Sequence, residues 1–304
     1  MERKLNAELW DKMHYLFRDY NDRMVHSTFE YDFEINPEIL KTVIICFFEK
    51  IPVLHSSFTD NHISPYWTVN SYTIEDVLTV KKIDESQADY EVDKFLTQYI
   101  PPEHIVQMKV LALYYNGKTS LSFIENHMCM DGGDLKNFLK NFAQNYNEYV
   151  ATGKAPIEYR QGSRSYTSVY NDFSQRDKKA AQNLYKNINK LDKHKFPLTE
   201  SEKDDYSFIA KRSISAEKFL QIKAQGKKFG ASINDMLLAA YFYSLYELAG
   251  YDKNESVSIS CAIDLRRHIK NTDATGYTNQ TAWMQCKIPE LGRDIFETLQ
   301  YTIR

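Results

Sequence analysis

Cysteine is scarce in this chain: Cys46, Cys129, Cys261 and Cys286 are the four in 304 residues. None stands at C-x-x-C spacing, which argues against a zinc site and against a thioredoxin-like redox motif. So few in so long a chain do not make a disulfide scaffold. Glycine and proline are also sparse, at 10 and 8 residues, a composition that argues against disorder. There is no glycine-rich phosphate loop and no His-Glu-x-x-His helix. Neither sign of charge dominates: 38 Lys and Arg stand against 41 Asp and Glu, a net charge of −3. That balance gives no reason to expect nucleic acid or an anionic membrane as partner. The basic stretch from Lys178 to Lys195 reads as a solvated helix face. Long apolar runs are missing as well. The strongest, Val43 to Phe48, is far too short to span a bilayer, and the opening Met-Glu-Arg-Lys-Leu-Asn lacks the apolar core of a leader. The default expectation is a cytoplasmic protein without a membrane span.

What is present is a folded composition: 43% apolar and 26% charged residues, with 22 Tyr and 17 Phe. Asn36-Pro37 suits a helix start, and Ile39, Leu40, Val43, Ile44, Phe47, Phe48 and Ile51 then recur at helical spacing until Pro52. The sequence predicts a strand from Val53 to Phe58 and a helix from Gln87 to Tyr99. A hairpin follows, Ile105 to Tyr115 and Thr119 to Glu125, turning at Asn116-Gly117. After it come His127 to Gly133 and a helix with Leu135, Phe138, Leu139, Phe142 and Tyr146 on one face. A polar, Lys-rich stretch over 156–205, with one helix near 172–190, reads as a crossover between an N-terminal lobe (1–155) and a C-terminal lobe (206–304). The second lobe is predicted to hold a strand Tyr206–Ile214, helices Ser215–Phe229 and Ser232–Leu248, strands Val257–Ile263 and Gln280–Ile288, and a helix from Asp294. Alternating strands and helices define an α/β architecture.

His127 and Asp131 carry the chemistry. An imidazole titrates near neutrality, so it can take a proton from a hydroxyl or an amine. A strand-to-helix turn would present it at a sheet edge. Asp131 either orients that ring or anchors the turn to a distant arginine through a charge-assisted bond. Gly132 and Gly133 allow backbone conformations that other residues resist. His-x-x-x-Asp alone recurs by chance, so the wider pattern has to decide. Cys129, between two methionines, reads as packing, and His55 and His268 as structural.

Asn126-His127-Met-Cys-Met-Asp131-Gly132-Gly133 resembles the His-His-x-x-x-Asp-Gly motif of nonribosomal peptide synthetase condensation domains and of related stand-alone acyltransferases, within the chloramphenicol acetyltransferase-like superfamily. Three further segments match in order. They are Leu40 to Phe58, ending Ile51-Pro-Val-Leu-His-Ser-Ser-Phe58; Phe229-Gly-Ala-Ser-Ile-Asn-Asp-Met-Leu-Leu-Ala-Ala-Tyr241; and Ser258 to Arg267 with Gly276-Tyr-Thr-Asn279. The resemblance covers about residues 30–290. It implies a two-lobe mixed-sheet sandwich with an incomplete second lobe, since members of the family run longer. It also implies transfer of an acyl group from a thioester, acyl-CoA or a carrier-bound acyl chain, to a small alcohol or amine, with no resident cofactor and no metal. His127 falls on the general base. Asp131 falls on the structural aspartate, Gly132 on the motif glycine, Arg266 on the paired arginine with Arg267 second, and Asn279 on a channel asparagine that contacts substrate. The first histidine of the doublet is Asn126 here, and no Asp-Phe-Gly-Trp-Gly segment of the plant enzymes occurs. A carrier protein or a second subunit is an implied partner. The alternative is a truncated, non-catalytic module that binds a thioester or a partner.

Overall fold

The elements follow the local chemistry closely from residue 36 onward and less closely before it. The computed structural model describes residues 2–19, 23–154, 162–171, 173–185, 194, 208–269 and 276–303. In chain order the elements are β1 (Lys4–Asn6), α1 (Leu9–Leu16), β2 (Met24–Tyr31), α2 (Pro37–Lys50), β3 (Ser56–Thr59), β4 (Tyr66–Val69), α3 (Ile74–Val77), β5 (Leu78–Lys82), α4 (Ala88–Leu96), β6 (Met108–Tyr115) and β7 (Lys118–Asn126). Then come α5 (Gly132–Thr152), α6 (Ser168–Asn171), α7 (Gln175–Tyr185), α8 (Ala216–Lys228), α9 (Ile233–Ala249), β8 (Val257–Asp264), β9 (Thr281–Ile288) and α10 (Ile295–Thr302). The chain divides into two packed units. One is Met1–Phe173, Ser207–Ile209 and Asp264–Thr281; the other is Ser174–Tyr206, Ala210–Ile263 and Ala282–Arg304.

The first unit is built on the mixed sheet β2-β7-β6-β5, in which β5 alone runs parallel to its neighbour. Asn116 and Gly117 turn β6 into β7, both at positive φ (47° and 74°), the geometry a two-residue hairpin requires and Asn-Gly supplies. One face of the sheet packs on α2 and α5. Helix α2 starts where Asn36 caps the amides of Glu38 and Ile39, and it buries Leu40, Val43, Ile44, Phe47 and Phe48 against Phe123, Phe138 and Phe142. Truncating one such phenylalanine to alanine costs about 3–5 kcal/mol. The opposite face holds a smaller core of Val92, Phe95, Leu96, Leu111, Leu113 and Ile124 beneath α4. A second sheet, β1-β4-β3, joins the N-terminus to the strand after α2.

In the second unit Ser232 and Asp235 form the capping box that begins α9, and Gly250 ends it at φ 65°. Helix α9 packs with α8 and α10 around Ala231, Ala239 and Leu299 and contributes Phe242, Leu245 and Tyr246 to a core with β8 and β9.

Three expectations shift. Pro52 opens a short 3-10 turn, Pro52–His55, so the strand expected from Val53 begins at Ser56. Residues 208–214 of the predicted strand Tyr206–Ile214 form no ladder, and Phe208 and Ile214 are exposed. The span 264–281 belongs with the first unit, not with a continuous 206–304 lobe, because Arg266, Thr278 and Gln280 bond into the His127 turn. Of the expected crossover, residues 156–161, 172, 186–193 and 195–205 lie outside the described residues.

Candidate active site

Strand β7 ends at Asn126, and His127 follows at the turn into α5. Asn126, which stands where the resemblance expects a first histidine, is 1% exposed. Its amide donates to the Ile100 carbonyl and to Gln107 Oε1, while its own oxygen accepts from the Met128 amide. It shapes the turn from below. His127 is partly exposed, and its backbone amide donates to the Arg23 carbonyl at 2.7 Å.

The ring of His127 is held by Asn279. Asn279 Nδ2 donates to the carbonyls of His127 (2.8 Å) and Met128 (3.3 Å), so the amide orientation is fixed and Oδ1 is the atom that faces His127 Nδ1 at 3.1 Å. An amide oxygen only accepts, so Nδ1 carries the hydrogen and, in the neutral ring, Nε2 is the nitrogen with the free lone pair. Among the described residues Nε2 has no hydrogen-bond partner. The expectation that Asn279 contacts substrate thus meets a side chain already committed to the imidazole and its turn. His14 of α1 stacks on His127, with ring centroids 4.3 Å apart and planes 30° apart. Burial, together with the nearby His127 ring and the Arg23 charge, lowers the His14 pKa to about 3, so His14 is a neutral platform at neutral pH.

Asp131 is 4% exposed and caps α5. It does not orient the imidazole. Its oxygens accept from the amides of Asp134 (3.0 Å) and Gln280 (2.7 Å), from Thr281 Oγ1 (3.0 Å) and from Arg266 Nη1 (3.0 and 3.1 Å). Burial alone would raise its pKa. The Arg266 charge and the bonds from Gln280, Arg266 and Asp134 outweigh burial and hold it below the ordinary carboxylate value. Arg266 makes its forked pair with a residue the sequence reading passed over, Asp134: Nε to Oδ1 at 3.2 Å and Nη2 to Oδ2 at 2.9 Å. Nη1 also reaches Asp264 at 3.1 Å, and Nη2 donates to the Thr278 carbonyl at 2.9 Å. Arg267, the second candidate, is exposed.

Neither motif glycine has positive φ, so conformational freedom is not their reason. A Cβ on Gly133 would lie 2.9 Å from Arg266 Nη1 and 3.2 Å from Asp131 Oδ1. Gly133 is there to let the guanidinium pass. A Cβ on Gly132 would meet nothing within 4 Å.

A second buried ion pair clamps the turn from the other side. Arg164 bonds both oxygens of Asp11 (2.9 and 3.1 Å) and the carbonyls of Met128 (3.2 Å), Cys129 (3.3 Å) and Tyr277 (3.2 Å). Asp11 is fully buried and also accepts from Trp67 Nε1 at 2.8 Å. Arg164, Asp11, His14 and Asp134 were all missed by the sequence reading. The one available signal was Asp131-Gly-Gly-Asp134, two acids at capping-box spacing.

Directly before the turn stands Glu125, 0% exposed, with neither carboxyl oxygen hydrogen-bonded among the described residues. Burial first, then the charges of Asp131 and Asp134, push its pKa well above the ordinary carboxylate range. Folding therefore retains a proton that the unfolded chain loses above its ordinary value of 4.5, and stability falls as pH rises above that point. His14 acts in the opposite direction. Unfolded, it takes up a proton below 6.5; folded, it stays neutral down to about 3, so stability falls as pH drops below 6.5. Glu125→Gln is expected to remove the alkaline limb, gaining on the wild type by up to about 1.4 kcal/mol per pH unit, and His14→Phe to flatten the acid limb. Urea midpoints from pH 4 to 9 check this; curves parallel to the wild type would reject it.

No protein-family model matches the sequence, and no curated protein sequence is significantly similar to it. The fold is that of the condensation domains and their chloramphenicol acetyltransferase-like relatives. One such structure is the first condensation domain of the calcium-dependent antibiotic synthetase, with a TM-score of 0.71 at 14% identity over 99% of this chain and 73% of that one. The SgcC5 protein from Streptomyces globisporus matches with a TM-score of 0.71 at 10% identity, over 98% and 72%. Polyketide synthase associated protein 5 from Mycobacterium tuberculosis gives 0.67 at 13%, over 97% and 71%. Identities this low speak for the fold.

Proposed function

We propose that the protein is an acyltransferase that moves an acyl group from a thioester to an alcohol or amine, with His127 as general base. The observation that carries this reading is the imidazole fixed at Nδ1 by Asn279 and, among the described residues, unbonded at Nε2, on the turn that leads into α5. Nε2 takes the acceptor proton as its oxygen or nitrogen attacks the thioester carbonyl. The tetrahedral intermediate collapses, the carbon–sulfur bond breaks, and the imidazolium returns the proton to the departing thiolate. A thioester is already activated, so proton transfer and positioning suffice. Asp131 and Arg266 hold the turn and stay out of the proton path. The donor is acyl-CoA in this reading; a carrier-protein-bound chain is the alternative within the same chemistry.

The test is thiol release from acyl-CoA and from acylated carrier protein, each with small alcohols and amines, for the wild type and His127→Ala. Acceptor-dependent release that His127→Ala abolishes is the expected result. Release that survives in His127→Ala rejects the general base. Binding of a donor without release by either protein would favour a non-catalytic module.

A further inference from the structure

Strands β8 and β9 form a two-stranded sheet in the second unit. The chain leaves that unit after Ile263 and re-enters it at Ala282. Everything between, Arg266 and Asn279 included, is an excursion into the first unit. On these two strands Cys261 and Cys286 face each other with their Sγ atoms 3.3 Å apart. Cys286 is 8% exposed and packed with Val257, Ile288 and Leu291, whereas Cys261 is partly exposed. Both are thiols. A disulfide needs about 2.05 Å between sulfurs and strands at ordinary sheet spacing, so modest side-chain rotation closes the gap without moving the backbone far.

We propose that Cys261 and Cys286 are a redox modification site, a dithiol that converts reversibly to a disulfide and fastens the two strands at the base of the 264–281 excursion. The pairing itself does not depend on the acyl-transfer reading. The oxidant class is a small disulfide such as glutathione disulfide. The more accessible Cys261 attacks it as thiolate, one glutathione leaves, and a mixed disulfide forms. The Cys286 thiolate then attacks Cys261 Sγ and displaces the second glutathione. Two protein thiols give up two electrons and two protons, and one glutathione disulfide becomes two glutathione thiols. The apolar surroundings of Cys286 shield the product from bulk reductant. The new bond closes a loop of about 25 residues, a length at which a cross-link restricts the unfolded chain appreciably. The other two cysteines have no such partner: Cys129 Sγ lies 3.8 Å from the Val53 carbonyl and is fully buried, and Cys46 lies on α2.

The experiment uses the full chain, incubated with glutathione disulfide and digested with trypsin without reduction. The expected product is peptide 254–266 joined to peptide 271–287, lighter by two hydrogens than their sum and separated by dithiothreitol. Cys286→Ser should instead accumulate one glutathione on Cys261. Oxidised wild type should melt several degrees higher than reduced wild type, a difference absent in Cys261→Ser. Peptides that stay unlinked, or links that involve Cys46 or Cys129, would overturn the proposal. So would equal melting of the oxidised and reduced forms.

Discussion

Arg266→Met is expected to destabilise the first unit by about 3–5 kcal/mol at neutral pH. The guanidinium is bonded to both Asp131 (4% exposed) and Asp134 (0% exposed). Removing it takes away a positive charge that two buried carboxylates share, while methionine keeps much of the volume. The pH dependence separates this account from simple loss of packing. The folded-state pKa of Asp131 lies below its ordinary 3.8, so its contribution is present above that value and is lost as pH falls through the folded pKa. In the variant the Arg266 part of the depression is lost, and the deficit should shrink steadily as acid protonates Asp131. Adding Asp134→Asn should recover part of the loss at neutral pH. Denaturant midpoints of the single and double variants across pH give the result. A deficit that acid leaves unchanged would point to packing and against the buried charges.

His127→Gln is expected to lower acyl transfer by roughly 10²–10⁴-fold, the range a positioned general base supplies, with the fold intact because the ring is partly exposed and bears no buried charge partner. Asn279→Leu is the more discriminating partner in the experiment. It removes the acceptor that fixes hydrogen on Nδ1, so the ring can adopt the tautomer with Nε2 protonated, which is useless as a base. The expected signature is a large fall in kcat with KM nearly unchanged. If the asparagine contacted substrate instead, KM would rise. Single-turnover thiol release by the three proteins settles which role it holds, and wild-type rates from His127→Gln would remove the base from the mechanism.

The parts of the fold legible in the sequence are those where burial follows a simple period. Helix α2 shows its cap, its stripe and its proline stop in plain order, and the β6–β7 hairpin shows Asn-Gly between two apolar runs. The first 35 residues were silent for a physical reason. Helix α1 inverts the usual pattern: Asp11 is its buried residue, while Leu9 and Leu16 are 50% and 63% exposed. A hydrophobic stripe cannot reveal a helix whose most buried residue is a carboxylate. Strand β5 lies at a sheet edge with four of its five residues exposed, so it alternates weakly. In the candidate site, the motif pointed to His127, Asp131 and Arg266, because their spacing is local or shared with a known pattern, and the fold bonds Asp131 to Arg266. The partners Asp134, Asp11, Arg164 and His14 depend on which distant charges meet in the core, and nothing in a linear pattern reports that.

Those distances along the chain bear on how the protein is made. The Asp11–Arg164 pair spans 153 residues, the His127–Asn279 bond 152 and the Asp131–Arg266 pair 135. Contacts of such separation form late and slowly. On a ribosome adding about 5–20 residues per second, β6, β7 and α5 emerge well before Arg266, which pairs with Asp131 and Asp134 at the start of α5. The start of α5 must wait for the Arg266 charge that Asp131 and Asp134 share. His127 is thus among the last features to acquire its final setting during synthesis, long after the sheet that carries it has left the exit tunnel.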